Sequence, residues 1–370
     1  MTVNIFYSIV LVLLTILSWG FVDPHSGLPG ILWLQPVIYF QRIYPTIWYT
    51  GTIVILFGWY FWILARVKKG FISSKTIWAI VLATVIILFW SFPVTSNDVF
   101  NYIATAKVTF LYKENPYVVM PIEIPNESML TFLNAANKTA LYGPAWIALT
   151  SLPHYAGGGN LLLTLFTFKL FIVGWYVLLC YLIWRASGKK AWSLAFFALN
   201  PLVTLSTLVD AHNDVVMMAF ALGGFLALKN KRYIVSITLI VLSVLIKGAT
   251  LFLMPVFLWC LYQQWKTKNV TWQRVWYLAS AAMYFIFFLS PLREEIYAWY
   301  LIWPLTFLSL LGKQTILHAV SYGFSFGLML RIVPFFYTRS WSGITPMVKK
   351  IATLLPPAVS MLIYEKTHSR

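Results

Sequence analysis

Charged residues are scarce in this chain, and their scarcity excludes an ordinary soluble protein. Only 10% of the 370 residues are Asp, Glu, Lys or Arg, whereas 60% are hydrophobic. A soluble domain of average composition carries about a quarter charged residues. The sequence also has no polar stretch long enough to form a separate soluble domain. The composition therefore predicts one integral membrane domain over residues 1–370, folded as an all-α polytopic bundle of transmembrane helices.

Acidic residues and cysteines are rare as well. The 10 acids stand against 27 Lys and Arg, which gives a net charge of +17. Because the basic residues form short clusters between apolar runs, they indicate membrane topology and no nucleic-acid partner. Cys180 and Cys260 both lie in apolar runs, where neither is placed for a structural disulfide. The first 20 residues lack a basic segment and a cleavage site, which favours a retained first helix over a signal peptide.

Apolar segments of spanning length recur along the whole chain. A transmembrane helix needs about 20 mostly apolar residues. On this criterion we expect about 11 to 13 spans. The candidate segments are 5–21, 46–65, 76–92, 160–184, 191–208, 214–228, 233–247, 249–264, 275–291, 298–312, 315–331 and 345–364.

Basic clusters orient these spans. Four clusters, each separated from the next by two spans, lie at 66–75, 185–190, 229–232 and 266–274. This alternation places all four on the cytoplasmic face of the membrane and the N-terminus with them. Four further basic residues near the C-terminus fit the alternation less well: Arg331, Arg339, Lys349 and Lys350.

The opposite, outer face is then expected to hold the long loops. The largest covers 93–159 and contains Asp98, Glu114, Glu123 and Glu127, four of the ten acids. Shorter outer turns carry the ionisable residues Asp210, His212, Asp214, Lys247, Arg293, Glu294 and Glu295. These charged residues lie outside the basic clusters that orient the spans, so they are the candidates for a catalytic or binding role.

Asp98 is the leading candidate. It follows the third span, and residues 99–112 have apolar and aromatic side chains at helical spacing, which predicts an amphipathic helix lying in the interface. Ser96, Asn97 or Asp98 could simply cap that helix. Alternatively, Asp98 is a catalytic base, because an acid at membrane level is costly unless it is used or paired.

The turn from Asp210 to Asp214 holds three ionisable groups within five residues. In a helical turn the two aspartates would share a face. Asn213 and Asp214 could also start the next helix, but the density of charge between apolar spans favours function. A metal site is conceivable here, although one His with two Asp is a weak signature, and none is predicted.

Other motifs have simpler readings that stay open. Lys247 is either a lysine whose ammonium reaches the interface or a partner for an anionic ligand. Arg293 and the aromatic residues after it fit a solvated turn with an aromatic belt. Tyr142 stands in a Tyr-Gly-Pro turn.

In this order the motifs resemble the GT-C superfamily of membrane glycosyltransferases, and most of all the bacterial polyprenol-phosphate-mannose-dependent alpha-1,6-mannosyltransferases. The resemblance covers roughly 92–311. It rests on six short motifs: Asp98-Val99-Phe100-Asn101-Tyr102, Asn115-Pro116-Tyr117, Tyr142-Gly143-Pro144, Asn200-Pro201-Leu202, His212-Asn213-Asp214 and Trp299-Tyr300-Leu301-Ile302-Trp303.

The resemblance implies transfer of one sugar from a polyprenyl-phosphate donor to a glycan or glycolipid acceptor at the outer face of a bacterial cell membrane. Asp98 matches the family's catalytic acid. A phosphate leaving group needs positive charge, for which His212, Lys247 and Arg293 are candidates. No cofactor is expected. The remaining candidates for substrate binding are Asp210, Asn213, Asp214, Tyr102 and Tyr142.

Two other functions would fit the same outer charges. One is a transporter or flippase of a lipid-linked sugar, although transporters are often built from internal repeats and we find none. The other is an oligosaccharide ligase or polymerase, which transfers a block of sugars.

Overall fold

The computed structural model describes residues 2–24, 28, 30–31, 33–266, 268–292 and 295–368, and within them the chain is helical with no β-strand. The first half contains α1 (Thr2–Ser18), α2 (Gln35–Ile38), α3 (Ile43–Lys68), α4 (Ser74–Phe89), α5 (Asp98–Ala106), α6 (Pro144–Leu149), α7 (Ser151–Ala156) and α8 (Leu161–Ala186). The second half contains α9 (Ala191–Ala198), α10 (Pro201–Thr204), α11 (Asp214–Lys229), α12 (Tyr233–Ile246), α13 (Met254–Trp265), α14 (Trp272–Leu289), α15 (Ile302–Leu308), α16 (Ile316–Leu330), α17 (Val333–Thr338) and α18 (Thr345–His368). Short 3₁₀ or π turns adjoin them at Trp19–Phe21, Lys107–Leu111, Pro121–Glu123, Ser128–Phe132, Leu205–Val209, Gly248–Leu253, Ser290–Leu292 and Ala298–Leu301.

The all-α polytopic fold is confirmed, and the protein is an integral, multi-pass membrane protein. Among the described residues, six helical segments are long and apolar enough to span a bilayer, or seven if one bent pair counts. The six are Val3–Phe21, Ile43–Lys68, Leu161–Ala186, Trp272–Leu292, Ile316–Thr338 and Thr345–Thr367.

The predicted count of 11 to 13 spans is higher than this, because several predicted spans form helices too short to cross alone. Helices α11 and α12 have 16 and 14 residues. At 1.5 Å per residue they extend roughly 24 and 21 Å, short of the roughly 30 Å hydrocarbon core. Most of α11 is buried, and it packs against α8, α12 and α15. It is a central helix of the bundle.

The predicted span 191–208 is broken in the middle. Its two halves, α9 and the segment Pro201–Val209, meet at 56°. Pro201 begins the second half, where its missing N–H costs nothing. The Asn200 side chain accepts a hydrogen bond from the N–H of Leu202 at 3.0 Å and donates one to Ser325 Oγ at 3.0 Å. The Asn-Pro motif therefore caps and redirects a buried helix.

The helix expected after Asp98 is present as α5, but it does not lie in the interface. Residues 99–106 are all buried, and α5 packs against α6, α7 and α8. Its aromatic residues face protein instead of headgroups. The result is that Asp98, the first residue of α5, is held at the end of a buried helix.

Candidate active site

One cavity of about 680 Å³ lies at the end of the bundle where α4, α12, α14 and α16 end and α5 and α18 begin. Its wall includes residues of the 93–159 segment, of the turn after α12, and of the chain on both sides of α16. Loops that we predicted to share the outer face therefore converge on one site. The titratable and aromatic side chains in the wall include Asp98, Lys138, Tyr142, Lys247, Glu295, Tyr297, Trp299, Tyr300, Arg331, Trp341 and Lys349.

The segment that carries Asp98 is fixed by buried polar side chains. Lys169 of α8 donates to the carbonyls of Leu88 and Ser91 and so closes the C-terminal end of α4. Asp210 accepts hydrogen bonds from the N–H groups of Val94 and Thr95 at 2.8 and 3.1 Å, and from the Thr95 hydroxyl. Charge-assisted bonds of this kind are the stronger class. Asp210 thus positions the loop and does not line the cavity.

The Asp98 side chain faces the cavity and does not cap its own helix. Within the described residues its hydrogen bond is from the Asn101 side chain, at 3.4 Å, and no backbone N–H of α5 reaches it. Its Oδ2 lies 3.5 Å from Nδ1 of His212. Burial raises the pKa of Asp98 to about 6, although the Lys247 cation opposes the shift. A carboxylate with such a pKa is suited to accept a proton near neutral pH.

His212 supports Asp98 from behind. Its ring is fully buried and stacks on Trp299, with 3.7 Å between centroids and 19° between planes. Burial lowers the pKa of His212 well below its usual value, with the Lys247 cation adding to the effect, so the imidazole is neutral. Neither ring nitrogen has a hydrogen-bond partner among the described residues. Buried polar atoms without a hydrogen-bond partner are rare in proteins.

Lys247 and Asp214 form an ion pair at the cavity wall. Lys247 Nζ lies 2.9 Å from Asp214 Oδ1, and Trp303 Nε1 donates to the same oxygen at 2.5 Å. The ammonium also lies over the Tyr300 ring, 4.8 Å from its centroid. Asp214 is fully buried, so burial of its charge would destabilise the fold if Lys247 did not pair with it. Lys247 faces the cavity with its charge balanced by Asp214.

The Tyr-Gly-Pro turn brings Tyr142 beside Lys247. The Gly143 N–H donates to the carbonyl of Ile246 at 3.0 Å. A Cβ at Gly143 would lie 2.0 Å from the carbonyl oxygen of Leu245, so no larger residue fits. The Tyr142 ring in turn packs edge-on against Tyr102, with centroids 4.7 Å apart. This backbone contact holds Tyr142 and Lys247, which are distant in sequence, close together in the cavity wall.

The predicted site residues fall into two groups. Asp98, Tyr142 and Lys247 line the cavity. The other described ones lie behind its wall, and the backbone N–H of one of them, Asn213, donates to the Tyr102 hydroxyl at 3.3 Å. Arg293 lies outside the described residues. The described residues contain no group of three or more His, Cys, Asp and Glu that could hold a metal ion.

A second charged cluster lies in the same cavity, and the pairing of its residues was not predicted from the sequence. Glu295 pairs with both Arg331 and Lys349, and Lys349 Nζ lies 2.6 Å from its Oε2. Nearby, Arg339 donates to the carbonyls of Ile38, Tyr39 and Gln41. Arg331, Arg339 and Lys349 therefore have protein partners at the cavity end of the bundle. These contacts explain why the three residues do not fit the alternation of the cytoplasmic clusters. That poor fit was the one signal in the sequence that pointed to them.

Comparisons with known proteins match the chain to mannopyranosyltransferases. A family model described as "Alpha-(1->6)-mannopyranosyltransferase, N-terminal domain" matches residues 6–263. Alpha-(1->6)-mannopyranosyltransferase A of Mycobacterium tuberculosis (strain ATCC 25618 / H37Rv) is 24% identical over 250 residues, which are 65% of this chain and 48% of that protein. The chain therefore spans about half the length of the curated relative it matches. No solved structure matches the chain significantly.

Proposed function

The chain belongs to the alpha-(1->6)-mannopyranosyltransferase family, and we propose that it transfers one hexose, mannose or a relative of it, from a polyprenyl phosphate to a hydroxyl of a lipid-linked or cell-envelope glycan. The observation that carries this proposal is the Asp98 carboxylate, which faces a large cavity beside Lys247. The face of the membrane is proposed from the basic clusters: the cavity opens outside, and the N-terminus is cytoplasmic.

The proposed reaction is a direct displacement with Asp98 as general base. Asp98 takes the proton from the acceptor hydroxyl as its oxygen attacks the anomeric carbon. The bond from that carbon to the phosphate oxygen breaks, and polyprenyl phosphate leaves with the electron pair. A single displacement inverts the anomeric configuration. His212, stacked on Trp299, lies behind the carboxylate, with its Nδ1 3.5 Å from Asp98 Oδ2.

The composition of the cavity wall supports a lipid phosphate as donor. On one side Phe252, Ile286 and Leu289 offer an apolar surface that suits an isoprenoid chain. Lysine and arginine side chains on other sides provide positive charge for the phosphate. A polyprenyl chain is soluble only in the bilayer, so the enzyme that uses it must work within the membrane.

A reconstituted transfer assay tests the proposal. Purified protein in liposomes is given polyprenyl-phosphate mannose with a labelled sugar and a mannoside acceptor. We expect a product longer by one sugar, whose linkage has the inverted anomeric configuration by NMR. Translocation of the labelled lipid without any transfer would contradict the proposal and favour a flippase, and transfer of a sugar block would favour a ligase.

A further inference from the structure

Glu295, Arg331 and Lys349 come together from three separate parts of the chain. Glu295 precedes the turn Ala298–Leu301, Arg331 follows α16, and Lys349 lies in the first turns of α18. The side chains of Arg331 and Lys349 are only 13% and 14% exposed, yet both line the cavity. All three lie beyond residue 263, where the family match ends.

The cluster carries a surplus of positive charge. Two cations, Arg331 and Lys349, share one carboxylate, whereas Lys247 on the other wall is matched by Asp214. Although burial opposes it, the Lys349 and Arg331 cations keep the pKa of Glu295 below its usual range, so the carboxylate is ionised. Among the described residues of this cluster, one positive charge therefore remains without a counter-charge.

A stack of rings connects this cluster to Asp98. The guanidinium of Arg331 lies 5.9 Å from the centroid of Tyr297, and the Tyr297 ring stacks on Trp299 at 4.7 Å. Trp299 stacks in turn on His212, which contacts Asp98. The base and the cations thus lie along one continuous wall of the same cavity.

We propose that Arg331 and Lys349 form an anion subsite that binds the phosphate of the lipid donor. A guanidinium presents two parallel N–H donors that match phosphate oxygens, and a lysine adds a compact charge. Glu295 holds both cations in position and leaves these three side chains with a net charge of +1. The assignment rests on the proposed function for the identity of the lipid, but the subsite itself rests on the geometry.

Direct binding of a short-chain polyprenyl phosphate to the purified full-length protein tests the subsite without any transfer. Lys349→Gln should weaken binding about 10-fold or more, since it removes a charge-assisted hydrogen bond. It should leave binding of the uncharged polyprenol unchanged. Glu295→Gln should strengthen phosphate binding several-fold, because it frees a second positive charge. Lys350→Gln, which removes an exposed lysine next in sequence and outside the cavity wall, is the matched control.

The opposite signs expected for Lys349→Gln and Glu295→Gln separate a binding role from a structural one. Equal weakening by both variants, or equal loss of polyprenol and polyprenyl phosphate in Lys349→Gln, would overturn the subsite. Displacement of the lipid by inorganic phosphate at equal concentration would overturn its assignment to a lipid. Sugar transfer with unchanged phosphate affinity in Lys349→Gln would refute the subsite alone. The expected binding pattern without transfer would refute only the proposed reaction.

Discussion

The rate of sugar transfer should rise with pH through about 6, because burial raises the pKa of Asp98 to about 6. A general base acts only when it is deprotonated. About 90% of the protein is then competent at pH 7 and about 10% at pH 5, so kcat/KM should be about tenfold lower at pH 5. Titration of His212 does not explain such a rise in rate, since burial holds the pKa of His212 well below its usual value. The donor is a phosphate diester and does not titrate here.

Lys247→Gln tests the cause of this profile. The Lys247 cation lowers the pKa of Asp98 against the larger effect of burial. Its removal should therefore move the midpoint to higher pH, whereas Lys350→Gln should leave it in place. The assay is the initial rate of transfer at subsaturating donor from about pH 5 to 8. A flat profile in the wild-type protein, or a midpoint that moves to lower pH in Lys247→Gln, would show that the profile does not report the ionisation of Asp98.

Three further predictions concern the frame of the site and its orientation. Asp210→Asn places an NH₂ group against backbone donors and should cost about 1–3 kcal/mol, measured as a lower melting temperature. Gly143→Ala should lower both the melting temperature and the transfer rate, because its Cβ would overlap a carbonyl of α12; Gly174→Ala, with open space around it, should do neither. In a cysteine-free background, Asn137→Cys should react with an impermeant reagent from outside the cell and Lys68→Cys should not; the reverse labelling pattern would show that the proposed orientation is inverted.

The sequence was a good guide to those cavity residues that stand out in a local pattern. Asp98 was recognisable because an acid stood alone beside apolar spans, and Lys247 because a cation ended an apolar run. Both line the cavity. The apolar periodicity also located the helices, because the hydrophobic segments of the chain are the helices of the bundle.

What the sequence could not show depends on long-range contacts. Arg331 and Lys349 meet Glu295 across 36 and 54 residues, a pairing that no local pattern encodes. Asp210 resembled a substrate ligand until its bonds to the segment 94–95 were visible. The short helices were counted as spans because burial within protein and burial within lipid select the same apolar residues.

The Asp98→Asn variant, in the transfer assay with purified protein, shows whether the Asp98 carboxylate is the general base. The amide keeps the size of the side chain but cannot take a proton, and general-base catalysis typically contributes about 100- to 10,000-fold. The account predicts a loss of turnover in that range, with the melting temperature and the affinity for polyprenyl phosphate nearly unchanged. Asp98 accepts no hydrogen bond from a backbone N–H of α5, so the amide should not weaken the helix. Wild-type turnover in purified Asp98→Asn protein would therefore contradict the account and leave Asp98 with a structural role.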